Sequence, residues 1–212
     1  IELTYMPQFD VETDEPLTVP QYWQKMGHAL SPAQLNLINA ADPRRDVCLL
    51  TGDTASGKTH AAVLLGIQLA CERPMSVGLV TAPTQAVLTH NVLEKYRQLL
   101  PQLGLVAGLD YKLSQRQIRF ANGSRIKFMA IKNPAIDLTE CQWIHAEHMH
   151  DLTETQFNRL LAQLRQPGCD GRIDRLRFFG TGRPVADGWQ TQLFGQGNPY
   201  AFRHLTSQTR DN

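Results

Sequence analysis

The chain has 212 residues, 42% hydrophobic and 19% charged, the composition of one soluble globular domain with a sizeable core. Its longest apolar run, Ala61 to Leu69, is interrupted by Gly66 and Gln68 and is too short to span a bilayer, and nothing at the start reads as a signal peptide. The net charge of +1 is uneven: residues 1–20 hold five acids and no base, leaving 21 basic and 15 acidic residues in the remainder. The four cysteines show no CxxC spacing, which argues against a disulfide or zinc framework and for reduced thiols, with Cys48 and Cys141 in strands. Ile1 at the start gives the expectation of a processed or trimmed chain.

In chain order, residues 1–20 read as an acidic, proline-rich arm, and 21–212 as the folded domain. SPAQLNLINA opens a helix, with Ser31 as cap, Pro32 at the first helical position and Gln34 completing a capping box. DVCLL is a short buried strand, followed by a helical pattern from Gly57 to about Cys71. SVGLVTA is the next strand, and Thr84 to Leu100 a long amphipathic helix ended by Pro101. QIRFANGSRIKFMAI predicts a hairpin turning at Asn122-Gly123. QWIHA is a strand, Thr153 to Arg165 a helix capped by Thr153 with Gln156 in the box position, and RLRFFGTG and AFRHLT are the last strands. Strands alternating with helices predict an α/β domain with a mostly parallel sheet covered on both faces.

Leu49 to Leu69 carries the chemistry. Gly52, four residues, then Gly57-Lys58-Thr59 is the phosphate-loop pattern, set between a hydrophobic strand and an apolar helix. The glycines allow the backbone N–H groups of Asp53, Thr54, Ala55, Ser56 and Gly57 to turn toward phosphate oxygens at a helix N-terminus. Lys58 is expected to reach the outer phosphates of ATP, and Thr59 to place its hydroxyl on Mg²⁺. Such a site also needs an acid at a nearby strand end, and Glu147 after QWIHA is the best placed. Lys112, Arg116, Arg119, Arg125, Lys127 and Lys132 make 112–132 wholly basic: either a surface for nucleic-acid phosphates or a solvated hairpin face.

In order and spacing these motifs resemble the large terminase subunits of tailed bacteriophages, phosphate-loop NTPases of the ASCE/RecA-like class that package DNA. TGDTASGKT is similar to that family's Walker A loop, WIHAEHMHDLTETQFNRLLAQLR to its Walker B strand and following helix, and FFGTGRP to its coupling motif. The resemblance implies that Gln34 contacts adenine, Thr59 and Glu147 hold Mg²⁺, His148 takes the catalytic-glutamate position, and Thr181 and Gly182 couple nucleotide state to movement. It further implies ATP as cofactor, double-stranded DNA as partner, and a homo-oligomeric ring docked on the capsid portal in the host cytoplasm. A portal protein and a small terminase subunit are its implied partners, and a nuclease domain is expected to be lacking. The loop and AEHMHDL also resemble superfamily-two helicases.

Two positions depart from the pattern. A histidine stands at 148, and an offset of one residue would instead put Ala146 at the metal and Glu147 at the catalytic position. Thr54 stands where many terminases have an arginine, so the expected source of that charge is a neighbouring subunit or Arg183. The rival readings are a helicase-like translocase outside packaging and a nucleotide-binding assembly module that does not hydrolyse ATP. His145, His148 and His150 with Glu147 also invite a zinc reading, but a strand end sends 145 and 147 to one side and 148 to the other.

Overall fold

The computed structural model describes residues 30–38, 45–114, 116–167, 176–195 and 202–207. The expected acidic arm, and the aromatic residues Tyr22 and Trp23 that follow it, lie outside them. One mixed eight-stranded sheet organises the chain, with helices on both faces. The elements are α1 (Pro32–Ile38), β1 (Arg45–Gly52), α2 (Lys58–Glu72), β2 (Val77–Thr81), α3 (Gln85–Val87), α4 (Glu94–Gln102), β3 (Tyr111–Leu113), β4 (Gln117–Phe120), β5 (Arg125–Phe128), β6 (Trp143–Ala146), α5 (Glu154–Leu161), β7 (Leu176–Gly182), α6 (Trp189–Phe194) and β8 (Arg203–Ser207). The strand order is β3-β4-β5-β2-β6-β7-β1-β8, antiparallel only between β3, β4 and β5.

Strand alternation sorts the core into two layers. Trp143 of β6 and Phe179 of β7 face α2 and α4, stacking at 5.9 Å, while their neighbours Ile144 and Phe178 face α5. α2 is buried almost all round, from Ala61 to Gly66 and at Ile67, Leu69 and Ala70, as a helix at the centre of a layer must be. In the second layer Phe157 meets Phe178 edge-on at 5.1 Å and Trp189 at 4.9 Å. Trp189 also donates its indole N–H to the Leu152 carbonyl, so its role here is packing.

Several elements follow the sequence closely. The Ser31–Gln34 capping box forms, with Gln34 N–H to Ser31 Oγ at 3.3 Å and Ser31 N–H to Gln34 Oε1 at 2.7 Å. The hairpin turns at Asn122-Gly123, and its tip is pinned beneath α2: Asn122 Nδ2 donates to the carbonyls of Ala70 and Cys71, both at 2.9 Å, and Ser124 Oγ to that of Ala70 at 2.7 Å. These bonds satisfy carbonyls that a helix C-terminus leaves without partners.

Two helices differ from expectation. Pro101 does not end the long helix; α4 runs to Gln102, and Gly104 in the left-handed region (φ 77°) stops it. A π-helical segment, Leu88–Leu93, joins α3 to α4, which the period of apolar residues did not reveal. The helix expected to reach Arg165 ends at Leu161, because the chain beyond it turns back to pair with the segment entering β6: Cys141 N–H donates to Gln163 O at 3.0 Å. β3 and α6 were not anticipated. Phe157→Ala should cost about 3–5 kcal/mol of stability in urea unfolding, since it removes the ring on which the second layer converges; a loss under 1 kcal/mol would show that the layer tolerates the cavity.

Candidate functional site

β1 ends at Gly52 and α2 begins at Lys58, so the loop between them opens at the C-terminal edge of the sheet. Gly52 lies so close to the Ser207 carbonyl oxygen that a Cβ would sit 2.1 Å from it, and Gly57 adopts a left-handed backbone (φ 77°) against the Gln34 amide. The outward carbonyl of Ser56 accepts from Ser207 Oγ at 2.7 Å and from Gln34 Nε2 at 3.4 Å. Those two donors hold the loop from behind. The Gln34 amide is thereby engaged at the loop and at the helix cap, and the residue is buried.

Lys58 folds over the loop, its ammonium donating to the Asp53 carbonyl and to Ser56 Oγ at 3.0 Å. Burial lowers its pKa below the ordinary lysine value, against the raising influence of the Glu147 and Asp53 charges, while Arg183 adds to the lowering. Asp53, Thr54 and Ala55 are exposed along the rim, Ala55 with a left-handed backbone (φ 65°).

Glu147 follows β6 directly and is only 4% exposed. Its backbone N–H is held by the Thr81 carbonyl at 2.9 Å, which extends the β2–β6 pairing by one residue. Thr59 Oγ1 donates to Glu147 Oε1 at 2.8 Å, and His145 Nε2 lies 3.2 Å from Oε2. Burial is the largest influence on this carboxyl and pushes its pKa up; His145, with Thr59 and Thr181, outweighs it and holds the group below its ordinary value. The Thr181 hydroxyl is buried beside the carboxylate without a hydrogen bond of full geometry.

His148 turns the chain out of the strand in a left-handed conformation (φ 56°, ψ 48°), and its side chain is 35% exposed. Its Nε2 lies 3.9 Å from Glu147 Oε1, and its Nδ1 3.7 Å from Asp151 Oδ2. On β7, Thr181 and Gly182 pair with Leu50 and Thr51 of β1, so the expected coupling residues flank the strand that feeds the loop. The next residue, exposed Arg183, donates its backbone N–H to His150 Nδ1 at 3.2 Å. A cavity of about 120 Å³ lies behind this segment, lined in part by Gly182, Arg183, Gln190 and His204.

The histidines do not converge as the zinc reading required. His145 faces Glu147 on the α2 side, while ligand atoms of His148, His150 and Asp151 lie within 4.8 Å of one another on the outer side. In that outer group the bond from Arg183 keeps a lone pair on His150 Nδ1 and so places the ring proton of a neutral imidazole on Nε2, the atom 3.7 Å from Asp151. A metal at Nε2 would have to displace that proton and break the Arg183 contact. Burial, reinforced by His148 and Arg183, lowers the His150 pKa.

Sequence reasoning gave His145 no role beyond the zinc reading and missed Ser207 and His204. His145 contacts the acid directly, a pairing that the i, i+2 alternation of the strand made readable. Ser207 and the His204–Thr51 contact at 2.8 Å come from β8, which no local motif connects to the loop.

The DEAD/DEAH box helicase family model matches residues 31–164. No curated protein matches the chain. Among solved structures it is similar to the large terminase from a thermophilic bacteriophage, with a TM-score of 0.65 at 13% identity over 85% of this chain and 46% of that one. That terminase has also been solved in complex with ADP and with ATP-gamma-S. A Thermus phage large terminase ATPase domain aligns with a TM-score of 0.55 at 18% identity, covering 87% of this chain and 83% of that one. The HK97 bacteriophage large terminase gives 0.64 at 9% identity, covering 95% and 42%. The chain therefore spans under half the length of the longer terminases and most of the separate ATPase domain. With the phosphate loop, the acid after β6 and a family model spanning most of its length, the chain belongs to the DEAD/DEAH box helicase family and has the fold shared by large terminase ATPase domains.

Proposed function

We propose that this chain is the ATPase domain of a DNA-packaging motor of the large terminase kind, turning ATP hydrolysis into movement of double-stranded DNA. The observation that carries the reading is the 2.8 Å bond from Thr59 to Glu147, which brings the first turn of α2 and the end of β6 to one point. A hydroxyl and a carboxylate are hard oxygen donors, the set that suits Mg²⁺. This register supports Glu147, rather than Ala146, as the metal acid. Thr59 and Glu147 would hold Mg²⁺, which, when bound with the nucleotide, would supply positive charge against that developing on the phosphates.

The chain's own residues would divide the remaining work. The loop N–H groups from Asp53 to Gly57 cradle the phosphates at the start of α2. Lys58 leaves the Asp53 carbonyl and Ser56 hydroxyl for the outer phosphates, whose charge restores its proton affinity. Gln34 would contact the base by exchanging one of its present bonds to the loop and the helix cap. His148 orients the attacking water and takes its proton, with Asp151 3.7 Å from Nδ1 stabilising the charge gained. Arg183 supplies positive charge in place of the residue that Thr54 replaces, and its charge already reaches Lys58. Thr181 beside Glu147 and the Arg183–His150 bond connect the phosphate end to β7.

The DNA surface we assign is the outer face of the edge strands. Lys112 is opposite Arg119, and Arg119 opposite Arg125, forming a row of exposed cations across β3, β4 and β5. Like charges so placed repel, and a phosphate backbone relieves that repulsion. No helix among the described residues is long and apolar enough to cross a membrane. The ring, the portal and small-subunit partners and the site of action at the procapsid in the host cytoplasm belong to the same proposal.

Three outcomes test it. Lys58→Ala should abolish tight ATP binding in calorimetry, and unchanged affinity would sink the phosphate-loop assignment. The native chain should show Mg²⁺-dependent turnover, with and without duplex DNA, that His148→Ala lowers by about 10²-fold or more while ATP affinity is kept. Equal turnover in His148→Ala removes the histidine from this role, and turnover only in His148→Glu favours the assembly module. Replacing Lys112, Arg119 and Arg125 with glutamine should flatten the log–log salt dependence of duplex binding by about 0.9 for each phosphate no longer neutralised; an unchanged slope places DNA elsewhere.

A further inference from the structure

His145 has no part in the roles assigned above, yet it is fully buried in the middle of the site. It lies two residues before Glu147, so both side chains leave the same face of the chain, and its Nε2 is 3.2 Å from Glu147 Oε2. An ionised carboxylate only accepts, so Nε2 must carry the proton and donate it. The other ring nitrogen, Nδ1, is buried without a partner. A lone pair there is the less costly state, because a proton on Nδ1 would be a buried donor with no acceptor. The geometry thus fixes one tautomer.

The ring is also held in place. It stacks on Phe179 with centroids 5.4 Å apart and planes 18° from parallel, and Tyr96 lies at 6.4 Å on a tilt. Thr59 donates to Oε1 and His145 to Oε2, so each carboxylate oxygen has its own donor, one from α2 and one from the strand itself. Two donors on two oxygens fix the last torsion of a side chain that has one more rotatable bond than aspartate. The His145 bond does not depend on Thr59, so it persists when the threonine hydroxyl turns to another partner.

We infer that His145 is a positioning residue that holds the Glu147 carboxylate beside Thr59, setting the site's affinity for the divalent cation that accompanies the nucleotide. The inference rests on the phosphate-loop reading. Partners that orient a ligating carboxylate typically change metal affinity 10- to 100-fold when removed.

The test is binding of a non-hydrolysable ATP analogue by calorimetry, with and without Mg²⁺, to the native chain, His145→Phe and His145→Gln. Phenylalanine keeps the stacking and removes the donor; glutamine returns an N–H near the Nε2 position. The expected result is an Mg²⁺ midpoint raised at least about 10-fold in His145→Phe, with metal-free affinity unchanged and partial recovery in His145→Gln. An Mg²⁺ midpoint in His145→Phe equal to the native one overturns the inference. A native chain that binds no analogue under either condition overturns the phosphate-loop reading instead. Nitrogen-15 spectra of the native histidines decide independently of nucleotide binding and of whether the variants fold. A protonated Nε2 and bare Nδ1 at His145 support the inference, and the opposite tautomer overturns it.

Discussion

A carboxylate removed from water stays ionised only where donors replace the solvent on its oxygens. Glu147 meets that demand at the C-terminal end of a central strand, and meeting it draws the site together. Thr59 arrives from the first turn of α2 and His145 from β6, with the Thr181 hydroxyl of β7 buried beside them. The distance between the phosphate loop and the acid is therefore set by hydrogen bonds to one buried group. The loop is braced in the same way from its other side, where Ser207 and Gln34 converge on a single carbonyl.

The local grammar of the chain made much of this readable. The phosphate loop, both capping boxes and the Asn122-Gly123 turn depend on residues within a few positions of one another, and each appears where its spacing places it. Alternation carried one residue past QWIHA was enough to send 145 and 147 to one side. What escaped depends on partners far apart in sequence. Ser207 reaches Ser56 across 151 positions, and the early end of α5 follows from pairing between Cys141 and Gln163, which competes with helix continuation. β3, three residues long, is a strand chiefly because β4 lies beside it. The π-helical segment leaves the apolar spacing close to that of an ordinary helix, so periodicity cannot separate the two.

The residue identity at 148 also has a backbone explanation. Its left-handed conformation is uncommon outside glycine, and histidine, asparagine and aspartate tolerate it better than most. A glutamate at this position would have to adopt the same geometry or rebuild the exit from β6. The residue at 148 and the shape of the turn are thus two aspects of one local solution. His150 and Asp151 follow in the 3₁₀ turn that this exit produces, which is why His150 lies against the backbone of Arg183.

The docking of Asn122 and Ser124 beneath α2 has a mechanical meaning. α2 is 15 residues long, a rod of about 22 Å, with the phosphate loop at one end and the hairpin tip bonded to the other. The tip cannot part from the rod without stripping donors from helix-terminal carbonyls, and β5 pairs the same hairpin to β2. The cationic hairpin is thus tied to the phosphate loop by two routes, through α2 to its tip and through β2 to its second strand.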